Sequence, residues 1–92
     1  MSSVVFTLQV PADERYRGLA ADVGRRFFEM VGGTREQAAR FADGVTASVD
    51  RLAGAGSQIA LTFSSDSNGA HVALESGGRA DTVTAPFSAS HG

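Results

Sequence analysis

The spacing of apolar residues changes twice along this 92-residue chain, and the change limits the folds open to it. The first and last parts place an apolar residue at every second position, which is the period of a strand with one buried face. The middle part places them three and four residues apart, which is the period of an amphipathic helix. Strands and helices that each have one apolar side pack most economically as two layers. The chain is therefore predicted to be an α+β protein, a two-layer α/β sandwich.

Three strands follow from the alternating segments. Residues 4–10 alternate, and Pro11 is predicted to end this strand because proline has no backbone N–H to donate. A second strand is predicted over 59–64, and the polar turn at 65–69 leads to a third strand over 71–75. Residues 82–85 are an optional fourth strand, which Pro86 would confine to an edge or end of the sheet. The predicted order is β-α-α-β-β, with or without this last strand.

Two helices are marked by their end signals. Asp13 is predicted to cap the first helix and Gly32-Gly33 to end it. Thr34-Arg35-Glu36-Gln37 reads as a capping box for the second helix, and Gly54-Ala55-Gly56 as its end. The apolar stripe of the first helix comprises Tyr16, Leu19, Ala20, Val23, Phe27, Met30 and Val31. The stripe of the second comprises Ala38, Phe41, Ala42, Val45, Val49, Leu52 and Ala53. Both stripes are predicted to pack on one face of a small mixed sheet.

Length and composition predict one domain over residues 1–92, folded over 4–87 with a loose tail at 88–92. The chain has no cysteine, and its two histidines, His71 and His91, are too few for a metal site. The net charge of −2 and the alternation of charge signs argue against nucleic acid as a partner. The chain has neither signal-peptide features nor an apolar run of about 20 residues. A cytoplasmic protein without membrane contact is therefore expected.

The opening Phe6-Thr7-Leu8-Gln9-Val10-Pro11-Ala12, followed by two helices and a hairpin, resembles a known family. It is similar to the anti-sigma-factor serine/threonine kinases, which have the histidine-kinase-like (GHKL) ATPase fold. In that family the first strand ends in V-P-A, the second helix carries the ATP-binding N-box, and the hairpin ends in D-x-G-x-G. The resemblance covers residues 4–79 and implies a GHKL ATPase-like fold in a bacterial regulator of transcription.

The family's N-box has a Glu that positions water and, four residues later, an Asn that helps to hold magnesium on the triphosphate. Aligning the second stripe puts Ala47 and Arg51 at these positions, and a shift of one residue puts Thr46 and Asp50 there. Alanine has no oxygen to activate water, and arginine repels magnesium, which takes oxygen ligands. The resemblance thus implies a chain that has lost the kinase chemistry: no enzyme, with no catalytic residue, no metal and no cofactor.

The adenine motif is half kept. Leu74-Glu75-Ser76-Gly77-Gly78-Arg79 occupies the place of D-x-G-x-G, with Glu75 at the Asp, Gly77 at the first Gly and Arg79 at the second. The chain ends where the family's ATP lid and second glycine box would follow. One interpretation is an exposed glutamate before an ordinary turn. The alternative is a regulator that still binds nucleotide through Glu75 without phosphoryl transfer.

A partner-binding strip is predicted beside the first stripe. On a helical wheel Phe28 lies with Arg17, Ala21 and Gly24, and arginine and aromatic residues are enriched at interaction hot spots. The alternative is that the second helix or the tail covers this flank.

The preferred function is a non-catalytic, protein-binding regulatory module. By resemblance its partner would be a sigma factor, an anti-sigma antagonist or a homologous kinase. Self-association as a homodimer, through the first helix or a sheet edge, is a further expectation. An unrelated small structural or oligomerisation domain remains as the other alternative.

Overall fold

A computed structural model describes residues 5–87, apart from the side chains of Glu14 and Arg17. Val4 and the predicted tail at 88–92 lie outside the described residues. The elements are β1 (Val5–Pro11), α1 (Glu14–Met30), α2 (Arg35–Leu52), β2 (Gln58–Ser65), β3 (Gly69–Ser76) and β4 (Arg79–Pro86). The predicted order is confirmed. The fourth strand is present and begins three residues earlier than predicted, at Arg79.

The sheet has the order β1-β2-β3-β4, and every neighbouring pair is antiparallel. The prediction of a mixed sheet is therefore wrong. The reason is the number of crossover helices: one helix returns the chain for a parallel strand, whereas two helices reverse it once more. β2 consequently enters antiparallel to β1. β1 and β4 are the two edges of the sheet, so Pro86 does lie in an edge strand as predicted.

Both hairpin turns have a clear chemical cause. Between β2 and β3, the Asp66 carboxylate accepts hydrogen bonds from the backbone N–H groups of Asn68 and Gly69, at 2.8 and 3.1 Å. Between β3 and β4, Gly77 and Gly78 both have positive φ, 56° and 84°. A two-residue hairpin with positive φ at both positions matches the twist of its strands and favours glycine.

The helix end signals act as predicted. The Asp13 carboxylate accepts from the Arg15 N–H at 2.9 Å and caps α1. Thr34 and Gln37 form the capping box of α2, with both hydrogen bonds at 3.1 Å. Gly32, at φ 114°, turns the chain out of α1.

The core lies between the helices and one face of the sheet. α2 contributes most of its predicted stripe, and β2 and β3 contribute alternating residues from the facing side. The fully or almost fully buried apolar residues include Ala38, Phe41, Val45, Val49, Leu52, Ile59, Leu61, Phe63, Val72 and Leu74.

α1 is rotated relative to the prediction. Its buried residues are Ala20, Gly24, Phe27 and Phe28, whereas Tyr16, Leu19 and Met30 of the predicted stripe are 39%, 47% and 65% exposed. The close approach of α1 to α2 explains the rotation. A Cβ atom at Gly24 would lie only 3.3 Å from Val45 Cγ2, so this side of α1 can come nearer to α2 than a side with larger residues.

Candidate protein-binding surface

An uncovered apolar surface runs along the β1 edge of the molecule. α1 lies above β1, and its outer side carries the exposed Tyr16, Leu19 and Met30 beside the half-buried Val23. We call this the α1/β1 surface and define it as Phe6, Tyr16, Leu19, Val23, Arg26 and Met30. Among the described residues, the large apolar side chains classed as exposed are Val5, Tyr16, Leu19 and Met30, and all four belong to β1 or α1. Apolar exposure is therefore concentrated on these two elements.

A groove opens at the centre of this surface, between α1 and β1. Its volume is about 290 Å³, and it is lined by Phe6, Val23, Arg26, Phe27 and Met30. The Phe6 ring stacks on Phe63 with centroids 4.9 Å apart, and the Phe27 ring lies 5.4 Å from both. The Phe6 and Phe27 rings line the groove and are held by the buried Phe63 ring beneath them. This makes a preformed apolar floor, which lowers the entropic cost of receiving a partner's side chain.

The polar border of the groove is an ion-pair cluster on α1. The Asp22 carboxylate accepts hydrogen bonds from Arg25 and, at 3.1 Å, from Arg26 Nε. The hydrogen bond from Arg25 is the main cause that lowers the pKa of Asp22 below its ordinary value. An apolar centre with a charged border is the usual layout of a protein-binding patch.

The strip predicted from Arg17, Ala21, Gly24 and Phe28 is not an open surface. Gly24 is buried against Val45, Phe41 and Phe63 of the core, and Phe28 is fully buried. The Phe28 ring contacts Phe41 and Phe87, with centroid distances of 5.2 and 5.6 Å, and a Cβ atom at Gly33 would overlap it. α2, the end of the sheet and the turn after α1 therefore cover this flank. The expectation that Gly24 and Phe28 offer themselves to a partner is wrong, and the alternative of a covered flank describes both residues. Ala21 is half-buried, and the side chain of Arg17 is outside the described set.

Ala47 and Arg51, the two residues aligned with the N-box, lie on the exposed side of α2. The Arg51 side chain is hydrogen-bonded to the sheet. Arg51 donates to Asp81 Oδ2 of β4 through Nε and Nη2, at 3.0 and 2.6 Å, and the buried Ser48 hydroxyl donates to the same oxygen at 2.6 Å. Ala47 is exposed one helical turn away. In the one-residue shift, the Thr46 hydroxyl donates to the Ala42 carbonyl at 3.0 Å, while Asp50 is exposed. These hydrogen bonds of Ser48 and Arg51 to Asp81, which we call the Asp81 cluster, join α2 to β4. They lower the pKa of Asp81 to about 2, and the hydrogen bond from Ser48 is the largest cause.

The fold does not bring Glu75 and Gly77, the residues aligned with the adenine motif, together with Ala47 and Arg51. Glu75 alternates with the buried Leu74 and Ser76, so its side chain lies on the sheet face turned away from the helices. Gly77 is packed against the loop after α2: a Cβ atom there would overlap the Ala55 carbonyl oxygen. The glycine turn is thus filled by the chain's own backbone, and Glu75 lies on the opposite face of the sheet from α2.

The sequence predicts self-association through the first helix or a sheet edge, but it identifies neither the residues of the α1/β1 surface nor the Asp81 cluster. A signal for the first was present, because the apolar residues of α1 together with Gly24 and Phe28 span about half of the helical wheel, more than one packing contact covers. Asp81 carried no comparable signal. It stands in a short polar stretch, and only the register of β4 on β3 brings it beneath α2.

Over residues 5–87, no group of His, Asp or Glu side chains is arranged to hold a metal ion. His71 instead lies within 3.2 Å of Asp66 across the first hairpin. Neither α1 nor α2 is long and apolar enough to cross a membrane. No family model matches the sequence, and no curated protein is significantly similar to it.

Proposed function

We propose that this chain is a non-catalytic, protein-binding regulatory module and that the α1/β1 surface is where its partner binds. The observation that carries the proposal is the concentration of exposed apolar side chains on α1 and β1, around a groove with an aromatic floor. Contiguous apolar surface that the domain does not cover costs solubility and typically marks an interaction site.

The edge of β1 supports the same assignment. β1 pairs on one side only, so its other side offers backbone N–H and C=O groups to an added strand. A partner that contacts the groove lies next to this edge and can use both. By its resemblance to the anti-sigma-factor kinases, the chain would belong to a bacterial regulatory system, with a sigma factor, an anti-sigma antagonist or a homologous kinase as partner.

Loss of kinase chemistry is part of this proposal and rests on the residues at the N-box positions. Ala47 supplies no general base, and Arg51 places a guanidinium where the family would hold magnesium. Arg51 also forms a salt bridge with the Asp81 carboxylate. A regulator with this site would act by occupying its partner rather than by modifying it.

A capture experiment with matched variants tests the binding surface. The purified chain is immobilised as wild type, Met30→Glu and Ala47→Glu, and each is exposed to lysate of the source organism. Met30 lies in the groove and Ala47 lies on the exposed side of α2, so both variants add the same charge to an exposed position. We expect a protein retained by wild type and Ala47→Glu and lost from Met30→Glu, because the new carboxylate would be desolvated at the interface. Equal capture by all three would contradict the assignment.

A thermal-shift scan with ATP, ADP and magnesium tests the absence of a nucleotide site. A ligand at about 100 times its Kd stabilises a native protein by roughly 2.7 kcal/mol, which raises the Tm of a domain this small by about 10–20 °C. We expect no shift at millimolar nucleotide. A shift that Glu75→Ala abolishes would favour a nucleotide-binding regulator instead, and phosphate transfer by the purified chain would overturn the non-catalytic assignment.

A further inference from the structure

The apolar positions of α1 are arranged symmetrically about Val23. The exposed Tyr16 lies seven residues before Val23 and the exposed Met30 seven after it. Leu19 lies four before, and Phe27, which is almost buried and lines the groove, lies four after. A helix turned end for end about Val23 therefore presents apolar side chains at the same places. An interface between identical surfaces related by a two-fold axis requires this kind of self-complementarity.

We propose that the occupant of the α1/β1 surface is a second copy of this chain, with the two α1 helices antiparallel about a two-fold axis near Val23. The inference rests on the proposed protein-binding role of this surface and names the partner that it takes. In the dimer Leu19 of each copy packs near Phe27 and Met30 of the other, and the groove beside Phe6 closes.

The sheet edge fits the same axis. A two-fold rotation perpendicular to the sheet pairs β1 with β1 of the second copy in antiparallel fashion and, in the same operation, sets α1 antiparallel to α1. The four-stranded sheet becomes a continuous eight-stranded sheet, which satisfies the open backbone groups of β1. Two independent features, the open edge of β1 and the exposed stripe of α1, are thus compatible with one two-fold axis.

The charges beside the stripe suit a second copy better than a strongly charged partner. The polar border beside the stripe carries Arg15, Arg25 and Arg26 as cations and Asp22 and Glu29 as anions, so its net charge is only +1. Turning the helix about Val23 places residue 26 opposite residue 20, about 3 Å along the axis from Asp22 of the second copy. Arg26, already bonded to Asp22 of its own helix, then lies between two carboxylates. Like charges are interleaved with opposite ones, and the two copies do not repel each other.

The length of the α1/β1 surface indicates the affinity expected for the dimer. A 17-residue helix above a seven-residue strand gives an interface about 25 Å long, towards the small end of the range for specific complexes. We expect a dimer that dissociates in the micromolar range rather than a permanent one.

Sedimentation velocity on the full chain, from low micromolar to near-millimolar concentration, tests the dimer. We expect the mass to rise with concentration from 9.5 kDa towards twice that value. Met30→Glu should keep the monomer mass throughout, with far-ultraviolet circular dichroism showing that it is folded, while Ala47→Glu should dimerise like wild type. A wild type that stays at 9.5 kDa at the highest concentration would overturn the inference, and so would a Met30→Glu variant that dimerises normally.

Crosslinking tests the position of the axis. The natural chain has no cysteine, so Val23→Cys and Ala47→Cys each introduce a single thiol. A short bismaleimide should join two copies of Val23→Cys, whose thiols lie near the axis, and leave Ala47→Cys uncrosslinked at the same concentration. Crosslinking through position 47 alone, or through neither, would overturn the proposed arrangement.

These outcomes separate the inference from the function on which it rests. If the wild type is monomeric and Met30→Glu still loses a captured cellular protein, the second copy is excluded and the protein-binding role stands. If the wild type is monomeric and capture is unaffected by Met30→Glu, both fail.

Discussion

The two helices of this domain are alike as sequences and differ in how the fold uses them. α1 has 17 residues and α2 has 18, each begins at a side-chain cap, and each has apolar residues at three- and four-residue spacing. α2 buries the central residues of its stripe against the sheet and α1. α1 buries one half of its apolar side and leaves the other half, which carries Tyr16, Leu19 and Met30, exposed to solvent. Amphipathic spacing therefore identifies the apolar side of a helix without saying how much of that side its own domain covers.

The position of each helix on the sheet accounts for the difference. α2 lies over β3 and β4, and the hydrogen bonds of Ser48 and Arg51 to Asp81 tie it to the edge strand there. α1 lies at the β1 edge, where the sheet ends, so nothing of the described chain extends beneath its outer side. The uncovered half of α1 and the open edge of β1 have the same origin in the four-strand width of the sheet.

The largest expected effect comes from a substitution on the covered half of α1. Phe28→Ala should destabilise the domain by about 3–5 kcal/mol, because it removes a fully buried ring and leaves a cavity beside Phe41 and Phe87. Met30→Ala, at a position 65% exposed two residues further along the helix, should change the free energy of unfolding by less than about 0.5 kcal/mol. Urea unfolding followed by circular dichroism measures both.

This pair of substitutions should be compared at low protein concentration, where mass action keeps any self-association from adding to the stability of the wild type. Similar losses from Phe28→Ala and Met30→Ala would mean that the two halves of α1 are equally covered. The division of the helix described above would then be wrong.

A smaller effect distinguishes the two sides of α1 through its glycines. Gly24→Val should cost about 1–3 kcal/mol, since even a Cβ atom there is 3.3 Å from Val45 and the larger side chain overpacks the contact with α2. Gly18→Ala should instead stabilise by about 0.5–1 kcal/mol, because no atom lies within 4 Å and alanine favours the helix. Thermal unfolding of both variants gives the opposite signs directly. A tolerated Gly24→Val would place the closest contact of the two helices elsewhere.

The elements of the fold could be predicted because their signals are local. Asp13, Thr34 with Gln37, and Gly32 after α1 act on their immediate neighbours, and the alternation in β2 and β3 records which face of a strand is buried. The side of α1 that packs against the core cannot be predicted from such local signals. Seven apolar residues at helical spacing defined a stripe, but Gly24, which counts as no hydrophobic residue, decides which side approaches α2.

The candidate sites differ in the same way. Ala47 and Arg51 can be singled out from the sequence because the resemblance to the anti-sigma-factor kinases defines a spacing at which to look. The hydrogen bonds of Arg51 and Ser48 to Asp81 join residues about 30 positions apart and depend on β4 pairing with β3 in one register. Similarly, the predicted stripe leaves Phe28 on its flank, where the sequence assigns it to a partner. A rotation of about 50° about the helix axis, half of the angle between successive residues, moves Phe28 into the core and Leu19 and Met30 to the surface.

The smallest expected effect is the pH dependence of the tie between α2 and the sheet. Hydrogen bonds from Ser48, from Arg51 and from the Thr82 backbone lower the pKa of Asp81 from 3.8 to about 2. Because the folded state holds the ionised carboxylate, this stabilisation is complete above about pH 4 and is lost as the pH falls towards 2. Asp81→Asn should therefore be less stable than the wild type at neutral pH, and the difference should shrink between about pH 4 and pH 2.

The pKa values of Asp22 and Asp66 are also lowered, so acid weakens both the wild type and Asp81→Asn, and only the difference between these two proteins reports on Asp81. Asp43→Asn, which removes an exposed carboxylate from α2, is the matched control. The effect is modest since the Arg51 side chain is 59% exposed and water screens the pair. A difference for Asp81→Asn that stays constant from neutral pH to pH 2 would mean that ionisation of Asp81 contributes nothing to the tie between α2 and the sheet.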